Sequence, residues 1–155
     1  LRHEAGLDPT GRRTVVLGAG GAARAVVLAL ARAGAAEVAV VNRTASRAEA
    51  AAALAGSAGR VVGPNDVSEA VAAADLVVNA TSVGMAGDES LPVDPEAVAL
   101  GAVAVDLIYH PPETAWLAAL RGRGIEAHNG LSMLVFQAAH AFVLWTGSEA
   151  PRTKL

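Results

Sequence analysis

The stretch "VVLGAGGAAR", Val15 to Arg24, decides the fold. The β-branched run "RTVVLG" ends in glycine, and "GAARAVVLALARAG" follows at helical spacing, with Ala23, Val26, Val27 and Leu30 on one face and Gly34 as a stop. The junction reads G-x-G-x-x-A at Gly18, Gly20 and Ala23. In a strand-to-helix junction each of these small residues has a task. The first permits a tight turn, the second lets backbone N–H groups approach a pyrophosphate, and the third keeps the helix close to the strand. The amino terminus of the helix then turns the positive end of its dipole toward the anion. A glycine-rich turn without a ligand is the plainer alternative, and the position directly between strand and helix favours the nucleotide.

Outward from this unit, strand-like and helix-like stretches alternate. "EVAVVN" is a second strand and "ASRAEAAAALAG" a second helix ending at Gly56, with Ser46 and Glu49 read as a capping box. "GRVVG" is a weak third strand, followed by a short helix over 67–74, the strand "DLVVNA", a long loop and the strand "VAVDLI". The helix "ETAWLAALRGRG", the small strand "IEAHN" and a closing helix over 131–145 complete the chain. Strands this apolar, separated by helices, predict an α/β fold: a Rossmann-like, doubly wound parallel sheet of six strands in the order 3-2-1-4-5-6, one domain over residues 1–155. A ligand would lie at the carboxyl ends of strands 1 and 4, where the strand order reverses.

Bulk properties narrow the function. The chain has 155 residues, 53% hydrophobic but only 3% aromatic, with a formal charge of -3, so its core must come from Ala, Val and Leu. A mildly acidic chain without basic blocks argues against nucleic acid as a partner. There is no cysteine, which excludes disulfides and thiolate metal sites, and His110, His128 and His140 lack metal-ligand spacing, so no metal is expected. Arg24, Arg32, Glu37 and Arg43 interrupt the most hydrophobic third, so no run approaches the roughly 18 apolar residues of a membrane span, and a soluble, cytoplasmic protein is expected. The chain opens "LRHEAGLDPTGRR", with neither an initiator Met nor a leader pattern, and reads as part of something longer.

"VVNRTASR", Val40 to Arg47, stands where an NAD site usually places a carboxylate for the ribose 2'-hydroxyl. Asn42 removes the repulsive charge, and Arg43 offers a fork of donors matched to phosphate oxygens. If Thr44 caps the second helix, Arg47 falls in its first turn, where the macrodipole disfavours a cation by about 0.3 to 1 kcal/mol. A bound anion would reverse that sign. The pattern therefore points to the 2'-phosphate of NADP, against the alternative of two solvated surface arginines.

"VVLGAGGAARA", "NRTASRA", "DLVVNATSVGM", "VAVDLIYHPPETAWL" and "NGLSMLVFQAAHAFVLWTG" occur in an order and spacing that resembles the cofactor domain of shikimate dehydrogenase, over about residues 12 to 147. The resemblance implies reversible, NADP-linked interconversion of 3-dehydroshikimate and shikimate, in the aromatic amino-acid pathway. Carried onto this chain, it implies that Gly18, Ala19, Gly20, Gly21 and Ala22 hold the pyrophosphate, and that Asn42, Arg43, Thr44 and Arg47 hold the adenosine 2'-phosphate end. Thr81, Ser82 and Met85 would border the cofactor, Leu107 and Gly130 would touch the nicotinamide end, and Tyr109 and Gln137 would face the substrate. It leaves a homodimer of the intact enzyme open.

Residue chemistry sits beside these implications. Asn79, Thr81 and Ser82 suit the switch point, or equally an ordinary strand-ending turn. Tyr109, ahead of Pro111 and Pro112, can donate to a small acid or simply pack half-buried. Gln137 on an apolar helix needs a partner. Asp106 reads as a turn or capping residue, Met85 as a flexible wall or core filler, and Trp116 and Trp145 as packing. The family's catalytic lysine and aspartate belong to a substrate domain that precedes the cofactor domain; the only lysine here, Lys154, does not match, so no catalytic residue is assigned. The chain as it stands is expected to bind NADP(H) without turning over shikimate. Two alternatives remain: the cofactor domain of a glutamyl-tRNA reductase, which shares the glycine loop and N-R-T stretch, and an NADP-sensing module with no chemistry.

Overall fold

The computed structural model describes residues 6–148. Six parallel strands form one sheet in the order β3-β2-β1-β4-β5-β6, as the alternation predicts. They are β1 (Arg13–Leu17), β2 (Glu37–Val41), β3 (Gly59–Val61), β4 (Leu76–Asn79), β5 (Val103–Asp106) and β6 (Glu126–His128). The helices between and after them are α1 (Gly21–Arg32), α2 (Ala45–Ala52), α3 (Val67–Ala72), α4 (Ala115–Gly122) and α5 (Leu131–Thr146).

Successive strand residues point to opposite faces, and here each face is apolar and covered. Val15, Leu17, Ala39, Val77 and Ala104 pack beneath Val71 of α3 and Trp116, Leu117 and Leu120 of α4. Their neighbours Val16, Val38, Val40, Leu76 and Val78 pack on the other side against Val27 and Leu30 of α1 and Ala48 and Ala51 of α2. Alanine at the helix contacts lets α1 and α2 lie close to the sheet, which is how a core with almost no aromatics fills its space. Trp116 is the exception: it is 1% exposed, and its indole Nε1 has no partner among the described residues.

The second helix is shorter than its alanine run predicts. α2 stops at Ala52, and Ala53–Ala58 continue as 3-10 turns broken at Gly56 (φ 57°, ψ -131°). The cause is steric and long-range: β3 must come back beside β2, and Gly59, which opens it, lies so close to Ala52 that a Cβ would overlap the Ala52 carbonyl. The expected capping box also fails. Thr44 is the N-cap of α2, so Ser46 lies inside the helix and cannot cap it.

α5 is apolar, yet none of its residues is buried. Leu144 and Trp145 are more than four-fifths exposed, so the expectation that Trp145 packs is corrected, while Trp116 does pack. Gln137 is likewise exposed and needs no protein partner. No helix among the described residues is long and apolar enough to cross a membrane. Lys154 lies outside the described residues.

Candidate functional site

The parallel register sets Val41, Leu17, Asn79 and Asp106 side by side as the last rung of β2, β1, β4 and β5. The loops leaving this rung are stitched to one another. Gly18 N donates to Val41 O (2.7 Å), Ala80 N to Leu17 O (2.8 Å), Leu107 N to Asn79 O (2.9 Å) and Gly130 N to Ile108 O (3.0 Å). Every predicted cofactor residue therefore leaves the same edge of the sheet, the carboxyl edge where the strand order reverses.

At β1 the turn is as tight as the glycine pattern requires. Gly18 has φ 107°, and a Cβ there would come within 2.8 Å of the Ala80 carbonyl oxygen. Two residues on, the constraint vanishes. A Cβ on Gly20 or Gly21 would meet nothing within 4 Å, so the space above the start of α1 is open. Gly20 is the N-cap, with no side-chain capping bond and no acidic residue in the first turn. Arg24 N is the first donor in the ladder, to Gly20 O at 2.9 Å, so the preceding amides lack helical acceptors. Ala23, fully buried, seats the helix against the core. Unpaired donors and a dipole terminus thus face open space beside a backbone held close to the sheet.

At the end of β2, Asn42 Nδ2 donates to Thr44 O (3.0 Å) and shapes the turn into α2. The Thr44 side chain accepts no capping bond, and Arg47 is the third helical residue, in the first turn as expected. Arg43 and Arg47 are both exposed. Among the described residues neither has an ion-pair partner, whereas Arg60 meets Glu37 (2.9 Å), Arg121 meets Glu113 (2.6 Å) and Arg123 meets Glu96 (3.3 Å). The site thus keeps two free cations at a helix start that itself favours anions.

At β4 and β5 the polar groups are instead consumed internally. Asn79 and Asp106 are fully buried and adjacent in register, and Asn79 Nδ2 donates to Asp106 Oδ1 (3.0 Å). Asn79 Oδ1 accepts from Thr81 N (3.0 Å) and Thr81 Oγ1 (2.7 Å), and Thr81 Oγ1 accepts in turn from Val83 N (3.1 Å). Asp106 Oδ1 also accepts from Ile108 N (3.1 Å), and Oδ2 from the Thr114 hydroxyl (2.8 Å). Thr114 caps α4, accepting from Leu117 N at 3.3 Å. Burial pushes the Asp106 carboxyl above the ordinary carboxylate range, opposed by the bonds from Ile108, Thr114 and Asn79. Of the turn or capping role expected of Asp106, it performs the turn, accepting from Ile108 N two residues on, while Thr114 is the cap. Its link through Thr114 was not legible, although two strands predicted as neighbours both end in short amide or acid side chains.

The loop after β4 then turns outward through Gly84 (φ 96°) and Ala86 (φ 57°). Asp88 closes it: bonds from Ser90 and from the Gly84 amide hold its carboxyl below the usual range. Ser82 is exposed and Met85 is 49% exposed, so Met85 is not core filler. Leu107 is half-buried beside Gly130, where a Cβ would overlap the Leu107 carbonyl. Tyr109 is 50% exposed, ahead of a cis His110–Pro111 bond. Tyr109 and Gln137 both follow strands at this edge, one in the loop after β5 and one on α5 beyond β6.

Comparison with known proteins agrees with this geometry. The family described as shikimate / quinate 5-dehydrogenase matches residues 3–86, more than half of the chain, and the shikimate 5'-dehydrogenase C-terminal domain matches residues 130–154. The NADP(+) shikimate dehydrogenase of Moorella thermoacetica is 50% identical over 156 residues, 96% of this chain and 53% of that protein. Shikimate 5-dehydrogenase from Thermus thermophilus, solved in complex with NADP(H) and shikimate, is 40% identical with a TM-score of 0.81, over 96% of this chain and 54% of that one. Quinate dehydrogenase from Corynebacterium glutamicum, solved in complex with NAD, is 33% identical with a TM-score of 0.87, over 96% and 54% respectively. The chain spans about half the length of the curated relatives it matches. Both the matched segments and the loops at the carboxyl edge of the sheet lead to one conclusion: this chain belongs to the shikimate / quinate 5-dehydrogenase family.

Proposed function

We propose that residues 1–155 are the coenzyme-binding domain of an NADP-dependent shikimate dehydrogenase, a soluble enzyme of the cytoplasm that interconverts 3-dehydroshikimate and shikimate. The observation that carries this reading is the pairing of an open, uncapped start of α1 with two arginines that have no ion-pair partner among the described residues. Gly18, Ala19, Gly20, Gly21 and Ala22 hold the pyrophosphate through backbone amides. Asn42, Arg43, Thr44 and Arg47 take the 2'-phosphate, with Arg43 as the planar fork and Arg47 as the charge that the helix start otherwise disfavours. Thr81, Ser82 and Met85 line the path toward the nicotinamide, Leu107 and Gly130 meet its ring end, and Tyr109 and Gln137 face the substrate.

The coenzyme supplies or accepts the hydride, and the protein orients it and excludes water. No residue of this chain is assigned the proton chemistry. That role falls to the half of the family's length that this chain does not span, and the exposed apolar surface of α5 suits the closure of that half over the site. Relatives are solved with NAD as well as NADP, so coenzyme choice rests on the loop after β2 rather than on the fold. Hydrogen bonds to charged groups contribute about 1.5 to 3 kcal/mol each, so two arginine contacts favour NADP by about two to four powers of ten before desolvation is subtracted. Titration of the chain with NADP+ and NAD+ by calorimetry tests this. Clear preference for NADP+ is expected, and equal affinities would defeat the phosphate assignment.

A further inference from the structure

Three elements meet at Thr114. Its hydroxyl donates to Asp106 Oδ2 at the end of β5, while the same oxygen accepts from Leu117 N and starts α4. Its side-chain carbons lie beneath Gly84 in the loop after β4: a Cβ on Gly84 would come within 3.5 Å of Thr114 Cβ and 3.6 Å of Ile108 Cδ1. Asp106 passes the connection to Asn79, and Asn79 holds both ends of the next turn. Its amide nitrogen donates to Val83 O at 3.3 Å and its amide oxygen receives both Thr81 donors. Thr114 is 2% exposed.

This arrangement is specific as well as stabilising. Asp106 offers only acceptors, and all three of its described bonds come from groups on different segments: the end of β4, the β5 loop and the α4 cap. Removing the Thr114 hydroxyl leaves a buried carboxylate oxygen without its donor, which costs more than an ordinary hydrogen bond. A shift of the carboxylate toward Asn79 would carry with it the turn that Asn79 holds at Thr81 and Val83. The loops after β1 and β2 lie outside this set of bonds.

We propose that Thr114, acting through Asp106 and Asn79, is a positioning residue that locks the turn over 81–85, and that this lock sets affinity for the nicotinamide half of the coenzyme while leaving its adenosine half untouched. The inference rests on the coenzyme reading above. It is tested on the full chain with two probes, NADP+ and 2',5'-ADP; the second carries the 2'-phosphate end without the nicotinamide. Thr114→Val should weaken NADP+ by about fivefold and change 2',5'-ADP by less than about twofold. Thr114→Ser, which keeps the hydroxyl, should restore the NADP+ affinity.

An unfolded fraction lowers both apparent affinities by the same factor, so the ratio of the two isolates positioning from simple destabilisation. Asp106→Asn keeps the cap and the acceptor toward Asn79 but reverses the polarity facing Thr114. It should give an intermediate ratio, and it decides the matter if Thr114→Val fails to fold. Equal losses for both probes, or no loss for either, would overturn the proposal. If the unaltered chain bound neither probe, the coenzyme reading itself would fall and this one with it. Binding of 2',5'-ADP alone to the unaltered chain would keep the phosphate site and remove the lock.

Discussion

The two ends of the candidate cleft solve opposite problems. At the β1 and β2 loops, polar groups are left unpaired: uncapped amides at α1, an uncapped α2 and two free arginines among the described residues. At the β4 and β5 loops, Asn79, Thr81, Asp106 and Thr114 satisfy one another almost completely, in a buried network. The first region leaves its donors facing open space, and the second closes on itself. Charge recognition gains from groups that have no internal partner, whereas positioning a planar ring requires groups that cannot move.

The largest expected effect breaks the open end. Replacing Arg43 and Arg47 together by alanine should weaken NADP+ by about a hundredfold or more while leaving NAD+ within about twofold, measured by calorimetry. Unchanged NADP+ affinity would mean that both side chains are merely solvated. Next comes the hinge between the two ends. Gly18→Ala puts a Cβ at φ 107° against the Ala80 carbonyl, and should cost about 2 to 4 kcal/mol in urea unfolding. A stability within experimental error of the unaltered chain would show that the two loops are not in real contact.

The smallest effect sharpens the closed end. Asp106 has its carboxyl pushed above the usual range in the folded chain, so the fold binds its proton more tightly than the unfolded chain does. Its contribution is therefore fully present below the unfolded carboxylate range and is lost as pH rises through the raised folded value. The melting temperature of the unaltered chain relative to Asp106→Asn should increase as pH is lowered through that window. A difference independent of pH would mean that the three donors fully offset the burial.

Much of the geometry at the β1 and β2 loops was legible because its signals are local. The glycine spacing, the strand-helix alternation and the charge pattern after β2 each lie within a few residues, and the sheet order follows from right-handed crossovers. Thr44 and Arg47 stand where local helix rules put them. Local rules conflicted at the start of α2, where Ser46 and Glu49 match a capping pattern but the turn made by Asn42 sets the start two residues earlier; distant chain decided the end of α2, where β3 returns beside β2. The glutamyl-tRNA reductase alternative, drawn from two shared short motifs, gave way to a match over more than half of the chain. Tyr109 and Gln137 were read as substrate-facing through the resemblance, and both are exposed, Tyr109 in the loop after β5 and Gln137 on α5.

By itself, then, the sequence determined the layered fold, the tight glycine turn and the cation pair, since each follows from periodicity or from the conformational needs of neighbouring residues. Only the tertiary structure decided that Asn79 and Asp106 share a rung, that Thr114 completes their hydrogen bonds, that β3 cuts α2 short, and that Trp116 is buried while Trp145 is exposed. The physical reason is that register between parallel strands, and the burial it creates, joins residues tens of positions apart, and no pattern within a single element encodes which ones will meet.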